Sequence, residues 1–501
     1  MTLRSSSTRG SIIPTRLART WRLHPRALIG LLALTACQGQ SVPPANAPRS
    51  RENDRIEYVV DFAEGLERAE VRVCASGTLP RQLRRLREGG EDLITAARSE
   101  EGEVRIDGIR IYLPAGLRCM SYELDLGRTR GSRSVMVADG ELLAIPGVLL
   151  WLPPALREET EIALRFRAPG GAHVSTSWAG ELVPHTLLRW SGNLAITRSA
   201  TQHFVVDGVD VEVARFQGEL TVDEDGVERW LSAALRAART LEGGARNMFG
   251  QERLHIALVP VGPGSRPVAF GFVRRGGGPS VMLYVHSQAS TEELVGDWVA
   301  VHELSHLSLP KVSDRWVGEG YATYMQEVLR MQQGLQSAEQ GWGRLMMGMH
   351  RGREGAGMAL AEESRVVSQT RTYHHVYWSG AAFFMELDLA LHERGTSLGE
   401  VVRRVSFDRS LRWDGERCLR ALDDAIGASL AVPLAARWAQ REVIPDMSEV
   451  FASLGVHGSE DAAFDDVRFD VEAPRFDVLR AISGRAAPSP RVGASRDARP
   501  R

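Results

Sequence analysis

Two histidines and a glutamate stand at a usable spacing in Val301-His302-Glu303-Leu304-Ser305-His306, an HExxH pattern. On a helix, residues four apart lie one turn apart on one face, so both imidazoles can reach a single metal ion. Glu303 then faces the same ion and can serve as general base on an attacking water. The pattern carries this meaning only on a helix. Ser290-Thr291-Glu292-Glu293 has capping-box form and predicts a helix start, and Pro310 would end that helix. A catalytic zinc takes a third protein ligand and keeps one position open. Asp314 and Glu319 are the downstream candidates. Asp314, between Ser313 and Arg315, suits a helix N-cap, so Glu319 near the start of the next helix is the preferred ligand. Thr323 lies four residues after Glu319 on the same predicted face, either as a partner supporting the site from behind or as a plain core threonine.

The elements that must position these residues follow from hydrophobic periodicity. Between Ile56 and Phe216, short alternating segments recur with Gly, Pro and Asp between them, which predicts a β-sandwich over residues 56–225 with a helical insertion around Pro80 to Arg98. From Val227 the period lengthens. Trp230, Leu231, Ala234, Leu235 and Ala238 mark one helix face, and strands are expected at Leu254–Val261 and Val281–His286 before the HExxH helix. The strand Val281–Val285 is a candidate to hold an extended peptide by strand addition. Residues 226–350 thus form a catalytic half, residues 351–485 a helical C-terminal half, and residues 486–501 (AAPSPRVGASRDARPR) a tail too polar to pack.

Together these residues resemble the gluzincin clan of metallopeptidases, in which HExxH is completed by a glutamate in a W-x-x-E-G-x-A-x-Y setting, matched here by Trp316 to Tyr324. The likeness is nearest to the glycyl aminopeptidase family and related peptidase-MA-like domains, and more distant to the leukotriene-hydrolase/aminopeptidase family. A second block, Tyr377-Trp378-Ser379-Gly380-Ala381-Ala382 with Leu387–Leu391 and Ser397–Val402, is similar to the Y-x-K-G-A and S-L-D-D-V helices of those families. The resemblance implies a thermolysin-like α/β zincin domain between a β-sandwich and a mostly α-helical C-terminal subdomain. It implies one Zn2+ held by His302, His306 and Glu319, Glu303 as general base, and Tyr377 as the donor to the tetrahedral oxyanion. Three departures stand out. Twelve residues separate His306 from Glu319, a short connection; no G-A-M-E-N-like segment occurs in Ala269–Tyr284; and Ser379 replaces the usual Lys. His374 and His375 are therefore alternative oxyanion donors. The function implied is hydrolysis of peptide bonds. The alternatives are a catalytically silent zincin-fold lipoprotein used for binding or envelope assembly, and a zinc hydrolase of a non-peptide bond.

The termini bear on location. Residues 1–36 carry six arginines and no acid ahead of a short apolar run ending Leu34-Thr35-Ala36-Cys37, which resembles a lipoprotein export signal cut before a lipidated Cys37. Residues 37–55 read as a tether, and Gln38 in place of Asp favours the outer membrane. Expected partners are a peptide or protein substrate and a membrane reached through the acyl anchor. The chain of 501 residues is 43% hydrophobic and 25% charged, which excludes a disordered polymer, and its net charge of −2 excludes a nucleic-acid binder that works through phosphates. Without residues 1–36 the charge is −8 over 465 residues. Cys74 and Cys119 lie in strand-like runs of one region and are candidates for a disulfide in an exported protein.

Overall fold

The structure is a computed structural model that describes residues 55–488 except 86–92, 130–133, 157–159, 179, 185–187, 189–191, 242–252, 277, 408–411 and 459–465. The expected export signal, Cys37 and residues 38–54 of the expected tether, like the tail beyond residue 488, lie outside the described residues; Arg55 already belongs to a strand. No described helix is long and apolar enough to cross a membrane.

The molecule is multidomain, with a sheet-rich N-terminal region and a helical C-terminal part. In the N-terminal region a seven-stranded sheet runs in the order Leu182–Pro184, Glu161–Arg167, Arg55–Phe62, Arg68–Ala75, Cys119–Asp125, Ile94–Ser99, Gly102–Glu103. Arg55–Phe62 and Glu161–Arg167 pair in parallel, and the other neighbours are antiparallel. Alternation drives this arrangement: in Arg68–Ala75, Ala69, Val71 and Val73 are buried while the arginines and glutamate between them face out. Two four-stranded sheets close the same apolar core. The phenols that enter it are satisfied, since Tyr58 donates to Trp151 O, and Tyr122 donates to Leu149 O and accepts from Trp151 N–H. Cys74 and Cys119 stand directly opposite on adjacent strands and form a disulfide. The expected helical insertion is replaced by strands Gln82–Arg85 and Ile94–Ser99. Leu83 is fully buried between arginine-bearing positions, and pairing with Arg110–Tyr112 and Trp151–Leu152 overrides the local helix preference of that run.

A further sheet has five strands in the order Gln202–Val206, Val209–Arg215, Arg253–Val261, Ser280–His286, Val268–Arg274. Its first two strands were expected in the sandwich. They form a hairpin about Asp207 and Gly208, both at positive φ as a tight primed turn requires, and Val209–Arg215 then pairs in parallel with Arg253–Val261. This sheet is apolar on both faces. Val211 and Val213 join the helical core, while Ala214 and Phe216 pack with Leu143 and Ala195 of the N-terminal region. The helix Glu224–Arg239, capped by Asp223 accepting from Gly226 N–H, buries Trp230, Leu231, Ala234, Leu235 and Ala238 as its periodicity predicts.

Two expectations close to the site are corrected. The capping box of Ser290 and Glu293 is present, but the helix it starts ends at Gly296, and a separate helix, Val299–Ser305, carries His302 and is capped at its C-terminal end by His306. Asp297 makes the break: its backbone is extended and its carboxylate accepts from Val299 N–H, which restarts the chain as a helix. The strand Ser280–His286 is internal, paired on both sides, so it offers no free edge. Of the sheet's two edge strands, Gln202–Val206 and Val268–Arg274, the one beside the histidine helix is Val268–Arg274.

Candidate metal centre

The histidine helix Val299–Ser305 lies between the edge strand and the glutamate helix Arg315–Gln333. His302, in the middle of the first, and His306, at its end, place their rings edge to face with centroids 4.9 Å apart. Glu319, in the second turn of the glutamate helix, sends Oε2 to within 3.5 Å of His302 Nε2 and 3.4 Å of His306 Nε2. Three potential ligand atoms thus lie within 4.8 Å of one another, and among the described residues no other group of His, Cys, Asp or Glu is so arranged. Asp314 occupies the N-cap position of the glutamate helix, but its carboxylate accepts from Gly415 N–H and stays out of the group.

The tautomer of His302 follows from its neighbours. Gln326 approaches with Oε1 2.7 Å from Nδ1, while its Nε2 donates to Glu327 Oε1 at 2.8 Å. A carboxylate only accepts, so the amide nitrogen must face Glu327 and the amide oxygen must face the ring. His302 therefore donates from Nδ1, and its neutral ring carries the lone pair on Nε2, facing the site. Glu327 is held in turn by Arg330 and Gln336.

Glu303 is buried, accepts from the Val273 N–H of the edge strand, and is pushed up to about 7 by burial and by the charge of Glu319, against the pull of His302. Burial also pushes Glu319 up, but His306 and His302 outweigh it and hold the carboxyl well below its usual range. Burial draws His302 and His306 down; in His302 the hydrogen bond to Glu319 and the charge of Glu303 reverse that, and in His306 the charge of Glu319 and the hydrogen bond to it do not.

The strand and helices meet so closely because glycines stand at the crossings. A Cβ on Gly271 would lie 2.8 Å from Glu303 Cγ and from Val299 Cγ1. A Cβ on Gly320 would lie 2.3 Å from Gly380 Cα, so the glutamate helix and the helix Tyr373–His392 touch backbone to backbone. That contact brings Tyr377 into the cleft with Glu319 and Glu303, whose charges, after burial, raise the phenol above its ordinary value. Tyr377 therefore stays protonated at neutral pH. Its ring is edge-on to Tyr373 at 6.1 Å. His374 is exposed and also lines the cleft. His375 is turned away: it is buried with Nδ1 3.1 Å from Gly352 O and Nε2 3.3 Å from Ser379 Oγ, which removes it as an oxyanion donor. Thr323 is buried and lines the cleft, but the group that orients His302 is Gln326, which sequence spacing did not single out. Its signal was available, since Gln326 lies seven residues, two helical turns, beyond Glu319.

The cleft has a volume of about 940 Å³. Its floor is the histidine helix, its walls the edge strand and the helices Arg315–Gln333, Ala338–Arg351 and Tyr373–His392. Arg275 closes one end by donating to His306 O and Leu309 O, the last carbonyls of the histidine turn.

No protein-family model matches the chain, and no curated protein does. Among solved structures it is similar to the crystal structure of an aminopeptidase N family protein from Idiomarina loihiensis, with a TM-score of 0.62 at 15% identity, covering 80% of this chain and 78% of that one. The fold is peptidase-like, of the aminopeptidase N kind. Set in that fold, the two histidines and the glutamate form a compact triad of potential metal ligands.

Proposed function

We propose that the protein is a zinc metallopeptidase, with His302, His306 and Glu319 holding the ion. The spacing of the donors carries this reading. Four donors about 2.0–2.1 Å from a tetrahedral zinc are separated by about 3.3–3.4 Å, and Glu319 Oε2 lies 3.5 and 3.4 Å from the two imidazole nitrogens. The donor set of two imidazoles and a carboxylate fits a catalytic zinc that keeps one position open.

Bound there, zinc would polarise the scissile carbonyl and acidify the attacking water. Glu303 takes the water proton and returns it to the leaving amine, with the Val273 N–H fixing where its carboxylate sits. The Tyr377 phenol, protonated at neutral pH, donates to the oxyanion as the tetrahedral centre forms. The edge strand Val268–Arg274 offers its free side to an extended substrate backbone. The lipoprotein signal read from the sequence would place this activity outside the cytoplasm, anchored through Cys37.

The test measures bound zinc and cleavage of a mixed peptide library by the wild type and by Glu303→Gln. The variant is expected to keep stoichiometric zinc and lose about 10²–10⁴-fold in kcat/KM. Zinc-loaded wild type that cleaves nothing would favour a binding role, and cleavage that survives the substitution would remove Glu303 from the mechanism.

A further inference from the structure

The walls of the cleft have a charge pattern of their own. Among the described lining residues the carboxylates are Glu303, Glu319 and Glu327. All three are committed: Glu319 to both histidines, Glu303 to the Val273 N–H beside them, and Glu327 to Gln326, Gln336 and Arg330. Asp297 lies nearby but is buried outside the lining, with its carboxylate on Val299 N–H. A peptidase that reads a free N-terminus must set a negative group against the substrate's ammonium, because a desolvated cation without a partner is costly. No described lining carboxylate is left for that task.

Cations line the same walls. Arg266 precedes the edge strand and Arg275 follows it. Lys311 lies in the short connection after the histidine helix, and Arg315 opens the glutamate helix. Arg344 and Arg351 lie on the helix Ala338–Arg351. Arg266, Lys311, Arg315 and Arg351 are exposed, and Arg315 and Arg351 make no hydrogen bond or ion pair with described residues. Composition does not account for this. The chain as a whole has a formal charge of −2, and Lys311 is its sole lysine. Positive groups that converge on a partly enclosed cleft from separate elements add their fields and concentrate anions there. Guanidinium groups also pair with carboxylates in two-pronged geometry.

We propose that the cleft selects peptides that carry carboxylates and does not read a free N-terminus. This rests on the metallopeptidase reading and names the substrate class of the same site. The anion can come from Asp and Glu side chains or from a terminal carboxylate, which share one chemistry.

The test uses zinc-loaded wild-type protein and a matched peptide set. An acidic peptide, its Gln/Asn counterpart and its Lys counterpart are each prepared with the N-terminus free or acetylated and the C-terminus free or amidated. The acidic peptide is expected to exceed its Gln/Asn counterpart by about tenfold in kcat/KM, the effect of one well-placed charge pair. That ratio is expected to shrink as salt rises and to be indifferent to acetylation. Arg315→Gln and Arg351→Gln are each expected to cut the acidic-to-neutral ratio by about threefold or more. A preference for acidic side chains that survives amidation assigns the anion to them, and a loss of turnover on amidation shared by all three peptides assigns it to the terminus; either supports the proposal. Equal turnover of acidic, neutral and basic peptides that amidation leaves unchanged, or a requirement for a free amine, overturns it while leaving the peptidase standing. Zinc-loaded protein that cleaves none of the set overturns the peptidase reading itself.

Discussion

His302 and His306 sit one helical turn apart and meet the same carboxylate oxygen, yet they are held by different means. His302 is backed by a chain of buried polar groups, Gln326, Glu327 and Arg330, that ends on the Gly296 carbonyl at the break between the two helices. Its ring orientation and tautomer are set before any ligand arrives. His306 is the more exposed of the two, and its backbone, not its ring, is what Arg275 holds. The contrast teaches a division of labour: one ligand is rigid and prearranged from the helical core, while the other is placed by the end of its helix and finished by Glu319.

Removing the part common to both halves has the largest expected effect. Glu319→Ala is expected to lower zinc affinity by more than about a hundredfold, beyond what loss of a supporting group costs, and to take peptide cleavage to background. Metal analysis after dialysis reads this; full zinc in the variant would break the three-ligand centre. The two halves are separated next. Gln326→Ala is expected to cost about 10–100-fold in zinc affinity in chelator competition. Arg275→Ala is expected to leave affinity within a few fold and lower stability by about 1–2 kcal/mol through two lost backbone contacts. Equal losses of affinity would erase the contrast.

The smallest effect concerns the foundation of the His302 side. Burial pushes Asp297 up from an ordinary 3.8 to about 6, although Val299 N–H and Arg330 pull it down. A carboxyl raised on folding favours the folded state fully below its unfolded value and loses that advantage as pH rises through the folded value. Asp297→Asn keeps an acceptor for Val299 N–H and escapes the loss. It is expected to raise the Tm by a few degrees at pH 8 and by nothing near pH 3. A gain that is the same at both pH values would show that Asp297 is not held in that state.

Much of the site was legible because its logic is local. HExxH on a helix and a glutamate one turn into the next helix are set by spacing, the Tyr377 block is read from the family resemblance, and the structure brings all of them to one cleft. The five helix positions from Trp230 to Ala238 were legible for the same reason. What escaped was tertiary. No periodicity shows that Val268–Arg274, and not the more apolar Ser280–His286, takes the free edge of the sheet, because that depends on which strand is left without a second neighbour. The break at Asp297 hides inside a good capping pattern, and the strands at Gln82–Arg85 and Ile94–Ser99 owe their form to partners far along the chain. Gln326 was legible only as a position two turns beyond Glu319, because a glutamine acquires the role of ligand support only from the buried acid beside it.

Lys311 has one more consequence. It is the sole lysine of the chain, and it stands exposed on the wall of the cleft, in the connection between the histidine helix and the glutamate helix. An amine-directed fluorophore would therefore find a single side chain to label, already positioned a few residues from the centre. The native molecule carries its own attachment point for a reporter of cleft occupancy, with no engineered cysteine and no disturbance of the Cys74–Cys119 bond.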